Sequence, residues 1–307
     1  MKLKNKKILI TGGASFIGSY TTNALIERGA KVVIIDNFIT GQRKNINPKA
    51  KVYEINITDQ KIENIFKKEK PEIIYHFAFN RLFLKSIENP LLDMDSIAGS
   101  INLFNNARKY GIKKIIFASS GFVYGKTNRL PMKETEPPHP ITPYAIAKFT
   151  VENYLRFFYE TYNLPYVILR YATVYGPKQN IGAMADYIHK LSMGKQAEIY
   201  GDGKMTRDYL YIDDVVRVNL LALKLPTNYP NPVFNIGTGI ETTVNDLYKK
   251  IAQLLDKKAE PIYLAERAEE QHRYALDYSK IKKAINWQPR YGLEDGLRLK
   301  LRFEGFI

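Results

Sequence analysis

Ile8-Leu-Ile-Thr-Gly-Gly-Ala-Ser-Phe-Ile-Gly18 is followed, after one helix-length of chain, by Lys31-Val-Val-Ile-Ile-Asp36. The first stretch runs from an apolar, β-branched segment through a glycine turn into a helical pattern over Phe16–Arg28 that Gly29 closes. A strand, a tight turn and a helix in that order aim free backbone amides and the positive end of the helix dipole at one point, where a pyrophosphate can sit. Gly12 and Gly18 hold the outer places of a T-G-x-x-G-x-x-G fingerprint, and Ser15 holds the middle one. A serine there shares space with the diphosphate and can donate its hydroxyl to it. Phe16 and Ile17 belong to the same dinucleotide-facing turn. The second stretch ends in Asp36, about 20 residues beyond the turn, where a carboxylate accepts the hydroxyls of an adenosine ribose and repels a 2′-phosphate. NAD is therefore favoured over NADP, with Asn37 beside the carboxylate. Taken singly, the glycines could form a plain turn and Asp36 a loop cap; read together they point to a dinucleotide site.

Outward from this unit, short β-branched runs alternate with amphipathic stretches, the pattern of parallel strands joined by crossover helices. Strands are predicted at Lys7–Thr11, Lys31–Asp36, Lys51–Glu54, Ile73–Phe77, Lys114–Ala118 and Pro165–Arg170. Six such strands with right-handed crossovers make an α/β fold with a doubly wound parallel (Rossmann) sheet, whose ligand crevice lies beyond the carboxyl ends of the strands. After Gly176 the pattern loosens into glycine- and proline-punctuated chain. The predicted organisation is an NAD-binding domain over residues 1–175, with 208–239 returning to it. Residues 176–207 and 240–307 would form a smaller, loop-rich C-terminal lobe for substrate.

The chain has 307 residues, a formal net charge of +15 and no cysteine, which removes disulfides and thiolate chemistry together. Its lysines are scattered, as at Lys67, Lys113, Lys249 and Lys282, and no helix-turn-helix, zinc-finger spacing or aromatic-basic RNA motif accompanies them. A solvated surface is the expectation, with no nucleic-acid partner and no metal. The basic start, Met1 to Lys7, precedes an apolar run of only Ile8-Leu9-Ile10, too short for a signal peptide or a membrane span. The expectation is a cytoplasmic protein that does not engage a membrane.

Thr142-Pro143-Tyr144-Ala-Ile-Ala-Lys148 carries the chemistry. Threonine as N-cap and proline at the first helical position mark a helix start, and Tyr144 and Lys148 then stack on one face of its first turns. For tyrosine to act as a base near neutral pH its pKa must fall from about 10 to about 7, which corresponds to about 4 kcal/mol. An ammonium about 4 Å away in a partly screened site supplies a Coulomb energy of that order. Upstream, the strand ending in Phe117-Ala-Ser-Ser-Gly-Phe-Val-Tyr-Gly125 places Ser119 and Ser120 at the crevice rim, as substrate contacts or as strand-end hydroxyls that satisfy backbone amides.

Together these residues resemble the extended short-chain dehydrogenases/reductases, in the branch of NAD-dependent nucleotide-sugar epimerases and dehydratases, closest to UDP-glucose (UDP-galactose) 4-epimerase. The resemblance covers nearly the whole chain. It adds Tyr75-His-Phe-Ala78, Leu169-Arg-Tyr-Ala-Thr-Val-Tyr-Gly-Pro177, Gly201-Asp-Gly-Lys-Met-Thr-Arg-Asp-Tyr209 through Asp214, and Phe234-Asn-Ile-Gly-Thr238. It implies that Ser120 holds a sugar hydroxyl, Tyr144 exchanges its proton and Lys148 grips the nicotinamide ribose. Asn56, Ile57, Phe77 and Ala78 would line the cofactor. Arg207 and Arg267 match contacts to the substrate diphosphate, for which a guanidinium fork is suited, while Asp208 and Asp214 brace structure. The chain departs from the family pattern at Ser15, at Asn56 where an aspartate is usual, and at Ser96 and Thr173 where asparagines are usual.

Among the related reactions, dehydratases carry an Asp-Glu pair after the serine or threonine, and decarboxylases place a glutamate nearby. Gly121 and Phe122 stand there in this chain and cannot transfer protons. Oxidation at C4 of a nucleotide sugar, followed by re-reduction on the other face, is therefore the implied reaction. A dehydratase, a decarboxylase or a nucleotide-binding member with lapsed catalysis are the alternatives. The resemblance also implies a homodimer through the helix from Pro143 to about Tyr162, which carries Phe149, Tyr154, Leu155, Phe157, Phe158 and Tyr162, paired with the helix containing Ile101–Ala107. It puts Tyr274 beside the sugar C2 substituent, where its ring would disfavour N-acetylated sugars.

Overall fold

The computed structural model describes the chain apart from residues 1–2, 81–82, 128 and 267–271, and describes only the backbone at 83–84. The strands β1 (Lys7–Thr11), β2 (Lys31–Asp36), β3 (Lys51–Glu54), β4 (Ile73–His76), β5 (Lys114–Ser120), β6 (Tyr166–Tyr171) and β7 (Val233–Ile236) form one parallel sheet. Their order is β7-β6-β5-β4-β1-β2-β3. Strand order reverses at β1, where Ile10 lies opposite Ile34 on one side and Tyr75 on the other. A doubly wound sheet opens its ligand crevice at this reversal. Its central strands are covered on both faces, and Ile8, Leu9, Ile10, Ile34 and Ile35 are all fully buried. This burial on both faces is why they read as continuous apolar runs instead of alternating.

The predicted six strands become seven. Val233–Ile236 is only four residues long and follows the Pro226–Pro232 stretch, so no period marks it, and its partner β6 lies far back in the chain. Strand ends also move: β4 stops at His76, β5 runs on to Ser120, and β6 covers Tyr166–Tyr171. Helix α1 spans Phe16–Glu27 and ends one residue before Arg28, with Gly29 at φ +88°. Four further helices, α2 (Ile62–Glu69), α3 (Phe83–Glu88), α4 (Met94–Lys109) and α5 (Pro143–Tyr162), lie in the connections from β3 to β6. Leu103 and Phe104 of α4 and Val151, Leu155 and Phe158 of α5 share a core with Leu9, Ile74, Ile115 and Phe117 of the sheet.

The chain divides into two compact units. The first comprises residues 1–123, 138–170 and 216–234; the second comprises 124–137, 171–215 and 235–307. The division at Tyr171 precedes the boundary expected near 175, and the returning segment of the first unit is 216–234. The second unit is built from strands of two or three residues: Thr173–Tyr175 beside Tyr209–Tyr211, Thr206–Arg207 antiparallel to Thr242–Thr243, and Glu198–Tyr200 beside Ile262–Leu264. Such short ladders need side-chain ties. Asp208, fully buried, accepts from the amides of Thr238 (2.9 Å), Gly239 (3.1 Å) and Leu276 (3.1 Å). Asp214 accepts from the amides of Arg290 (2.8 Å) and Tyr291 (3.2 Å). Among the described residues, no helix is long and apolar enough to cross a membrane.

Candidate active site

The turn between β1 and α1 depends on two glycines. Gly12 has φ +72°, and a Cβ there would lie 2.6 Å from the amide nitrogen of Ala78, so only glycine lets the ends of β1 and β4 approach. A Cβ on Gly18 would meet the carbonyl oxygen of Gly12 at 2.1 Å. Ser15 is the N-cap of α1, its Oγ accepting from the Gly18 amide at 3.2 Å. This role accounts for a serine at the middle fingerprint position. Asp36, buried at the end of β2, accepts from the amides of Ala14 (2.9 Å) and Phe38 (2.9 Å). Each carboxylate oxygen keeps a further lone pair for a ribose hydroxyl.

A cavity of about 300 Å³ opens at this place. Gly12, Ser15, Asp36, Asn37, Asn56, Ile57, Phe77 and Ala78 are among the residues that line it. The tight turn, the capped helix and the carboxylate fit the adenosine diphosphate half of NAD. Phe16, Ile17 and Gly18 stand on the first turn of α1 and are not part of the cavity wall; Phe16 packs edge-on against Tyr20 at 5.8 Å. Asn56 accepts from the Thr58 amide at 3.1 Å, which shapes the loop after β3. Asn102 of α4 donates to the carbonyls of Ile57 (2.8 Å) and Asp59 (3.1 Å), holding that loop in place. Asn102 went unmarked in the sequence, where it is one of three asparagines in Ile101-Asn-Leu-Phe-Asn-Asn106 and nothing local singles it out.

Beneath the cavity His76 is fully enclosed. Its Nδ1 lies 2.6 Å from Thr11 Oγ1 and its Nε2 lies 2.8 Å from Ser100 Oγ. Ser100 gives its own proton to the Ser96 carbonyl at 2.6 Å. Its oxygen therefore accepts from Nε2–H, and the neutral imidazole accepts at Nδ1 from the Thr11 hydroxyl. Thr11 Oγ1 in turn accepts from the Ala78 amide at 3.3 Å, and Ser96 Oγ accepts from the Asn80 amide at 2.9 Å. The chain joins β1, β4, α4 and the 77–80 loop. Burial, reinforced by the Lys148 charge, pushes the His76 pKa down to about 3. The unfolded chain binds a proton near the ordinary pKa of 6.5 and the folded chain does not, so the native state loses stability as pH falls from about 6.5 toward about 3. Between pH 6.5 and 5 the expected slope approaches about 1.4 kcal/mol per pH unit. Denaturant titrations of the wild type and of His76→Asn across that range measure it. An equal slope in both proteins would remove His76 as the source.

Helix α5 begins as predicted: Thr142 is the N-cap, its Oγ1 accepting from the Ala145 amide at 3.3 Å, and Pro143 follows. Lys148 is only 3% exposed, and its Nζ donates to the Ala118 carbonyl on β5 at 2.6 Å. The same ammonium lies 3.7 Å from the ring centroid of Phe79, 4.8 Å from that of Phe117 and 5.7 Å from that of Tyr144. Phe79 also meets the Tyr144 ring edge-on at 5.8 Å. The two adjacent serines part company here. Ser119 donates to Glu152 at 2.5 Å inside the core, whereas Ser120, at the end of β5, accepts from the Phe122 amide at 3.2 Å.

Thr173, Arg207 and Tyr274 belong to the second unit. The Thr173 amide donates to the Asp208 carbonyl at 2.9 Å, and its Oγ1 is buried with no hydrogen-bond partner among the described residues. Arg207 donates to the Thr206 carbonyl at 2.8 Å. Tyr274 is 1% exposed, its hydroxyl donating to the Tyr171 carbonyl (3.1 Å) and its amide to Thr206 Oγ1 (3.1 Å). Arg267 lies outside the described residues.

Residues 8–237 match the NAD dependent epimerase/dehydratase family. The chain is 42% identical to the UDP-glucose 4-epimerase of Thermotoga maritima, solved with UDP-glucose, with a TM-score of 0.93 over 97% of this chain and 98% of that one. The UDP-glucose 4-epimerase of Thermus thermophilus, solved in complex with NAD, is 32% identical, with a TM-score of 0.90 over 98% of this chain and all of that one. The UDP-glucose 4-epimerase of Mycolicibacterium smegmatis is 32% identical over 97% of this chain and 98% of its own length.

Proposed function

Because the chain belongs to the NAD dependent epimerase/dehydratase family, we propose that it is an NAD-dependent 4-epimerase of a UDP-sugar, of the UDP-glucose/UDP-galactose type. One observation carries the choice of reaction: beside the Ser120, Tyr144 and Lys148 set, the positions after the serine are Gly121 and Phe122, which offer no acid or base for elimination. The reading has the support of the Thermotoga maritima, Thermus thermophilus and Mycolicibacterium smegmatis epimerases. In it Gly12, Ser15, Asp36, Asn37, Asn56, Ile57, Phe77 and Ala78 hold the adenosine diphosphate half of NAD, with Phe16, Ile17 and Gly18 supplying the helix start. Bound there, NAD supplies reversible acceptance and return of the electron pair at the sugar C4. Tyr144 takes the proton of the C4 hydroxyl and returns it, Ser120 holds that oxygen in line, and Lys148 keeps positive charge beside the phenol. Thr173, Arg207, Arg267 and Tyr274 receive the nucleotide sugar. The test is incubation of the purified protein with UDP-glucose or UDP-galactose and NAD, resolving the sugars; no interconversion would overturn the reading.

The same reading gives Tyr274 the task of limiting room at the sugar C2. Its enclosed ring fills space that an N-acetyl group would need, and overpacking a closed site costs about 1–3 kcal/mol. Tyr274→Ser is expected to raise the relative kcat/KM for the N-acetylated UDP-sugars roughly tenfold to hundredfold. An unchanged ratio would end the idea.

A homodimer through α5 fits the exposed rings. Leu155 and Phe158 face the core, but Tyr154, Phe157 and Tyr162 remain 37%, 46% and 41% exposed on a helix of a folded unit. Sedimentation at micromolar concentration is expected to show a dimer; monomer alone would contradict it. For a chain that uses NAD and UDP-sugars and carries no cysteine, the cytoplasm is the matching compartment.

A further inference from the structure

The cavity that gathers Gly12, Asp36 and Asn56 includes Phe79 in its wall and, among the described residues, neither Tyr144 nor Lys148. Phe79 thus has two sides. One closes the cavity; the other lies over the Lys148 ammonium at 3.7 Å and against the Tyr144 ring. An ammonium has three N–H directions. One is spent on the Ala118 carbonyl, and the ring centroids of Phe79 and Phe117 lie 3.7 Å and 4.8 Å from the same nitrogen.

A dinucleotide anchored by its adenosine half at Asp36 must pass Phe79 to bring its second ribose to Lys148. A ribose hydroxyl that accepts from Nζ on that side takes the place of the ring. We propose that Phe79 competes with the nicotinamide half of NAD for the Lys148 ammonium: the ring stands between the two halves of the site and must turn aside for the whole dinucleotide to bind. The inference rests on the cofactor role assigned to Lys148 above. The ring neutralises nothing, but it satisfies a desolvated cation, and a contact of that kind corresponds to about threefold to thirtyfold in an equilibrium constant. Affinity for NAD is lowered by that factor, since the ring must first be displaced. Retention of the adenosine half is expected to persist when apolar bulk is kept at position 79, because its assigned contacts are at Gly12, Asp36 and Asn56 and Phe79 only closes the wall.

The test uses the full-length protein freed of nucleotide, titrated calorimetrically with NAD and with ADP. Phe79→Leu and Phe79→Met keep apolar bulk and remove the π face; Phe79→Tyr keeps the face. Leu and Met are expected to tighten NAD by about threefold to thirtyfold, to leave ADP unchanged, and Tyr to behave as wild type. Either aliphatic variant that folds, by its melting curve, suffices. NAD affinity that is unchanged or weaker in the aliphatic variants, with ADP unaltered, overturns the competition alone. Equal tightening of ADP and NAD also overturns it, since the effect would then lie in the adenosine half. Failure of the wild type to bind NAD at all overturns the cofactor reading together with this one.

Discussion

Tyr144→Phe is expected to lower turnover of a UDP-sugar by at least about a hundredfold while NAD binding stays within a few fold of wild type, the scale of a lost general acid/base. The substitution removes one oxygen and leaves the ring. That ring packs edge-on against Phe79 and stands 5.7 Å from the Lys148 ammonium, contacts that phenylalanine preserves. The helix start is likewise untouched, since Thr142 and Pro143 set it. What disappears is the only group of the Ser120, Tyr144 and Lys148 set placed to exchange a proton while the other two hold and charge the site. Ser120 is the obvious substitute, but its Oγ is engaged with the Phe122 amide and its ordinary pKa is far above neutrality. The measurement pairs steady-state turnover with an NAD titration on the same preparation. Turnover near wild type removes tyrosine from the mechanism; a large loss of NAD affinity assigns it a binding role instead.

The parts of this site that were legible in sequence are local. Tyr144 and Lys148 are one helical turn apart, and Thr142-Pro143 announces the turn. Gly12, Ser15 and Gly18 lie within seven residues, and Asp36 ends the next strand. In each case the spacing along the chain is the spacing in space, so period and motif suffice. The parts that were not legible join side chains far apart in sequence. Thr11, His76 and Ser100 meet across three elements, and Asn102 reaches back to Ile57. Nothing in the neighbourhood of Thr11 announces His76. Phe79 illustrates the same limit: in sequence it is one more apolar residue after Ala78, and only the fold of the 77–80 loop brings its ring over Lys148. The second unit was opaque for another reason, because strands of two or three residues show no period and their stability rests on ties such as the four-donor cradle around Asp208.

The second large effect is expected at Glu152, a residue to which no motif drew attention. It follows Lys148 by one helical turn and Tyr144 by two, on the same face of α5. Its carboxylate is 2% exposed and accepts from Arg170 Nε (3.0 Å) and Nη2 (2.6 Å) on β6 and from Ser119 Oγ (2.5 Å) on β5. A forked guanidinium and a hydroxyl on two neighbouring strands therefore fix the rotation of α5 over the sheet. That rotation sets where Lys148 meets the Ala118 carbonyl. Removing one partner of a buried ion pair leaves the other charge uncompensated, which costs about 3–5 kcal/mol. Glu152→Gln keeps the shape and removes the carboxylate charge that faces the buried Arg170 guanidinium, so the melting midpoint is expected to fall by roughly ten degrees. Removing both charges with volume retained, as in Glu152→Met with Arg170→Met, is expected to recover much of the loss, because desolvation of the pair offsets most of its attraction. Melting curves of Glu152→Met, Arg170→Met and the double variant decide it: a double variant as unstable as the sum of those two singles would show that the three-element tie acts through packing, and charge pairing would not be what holds the helix in register.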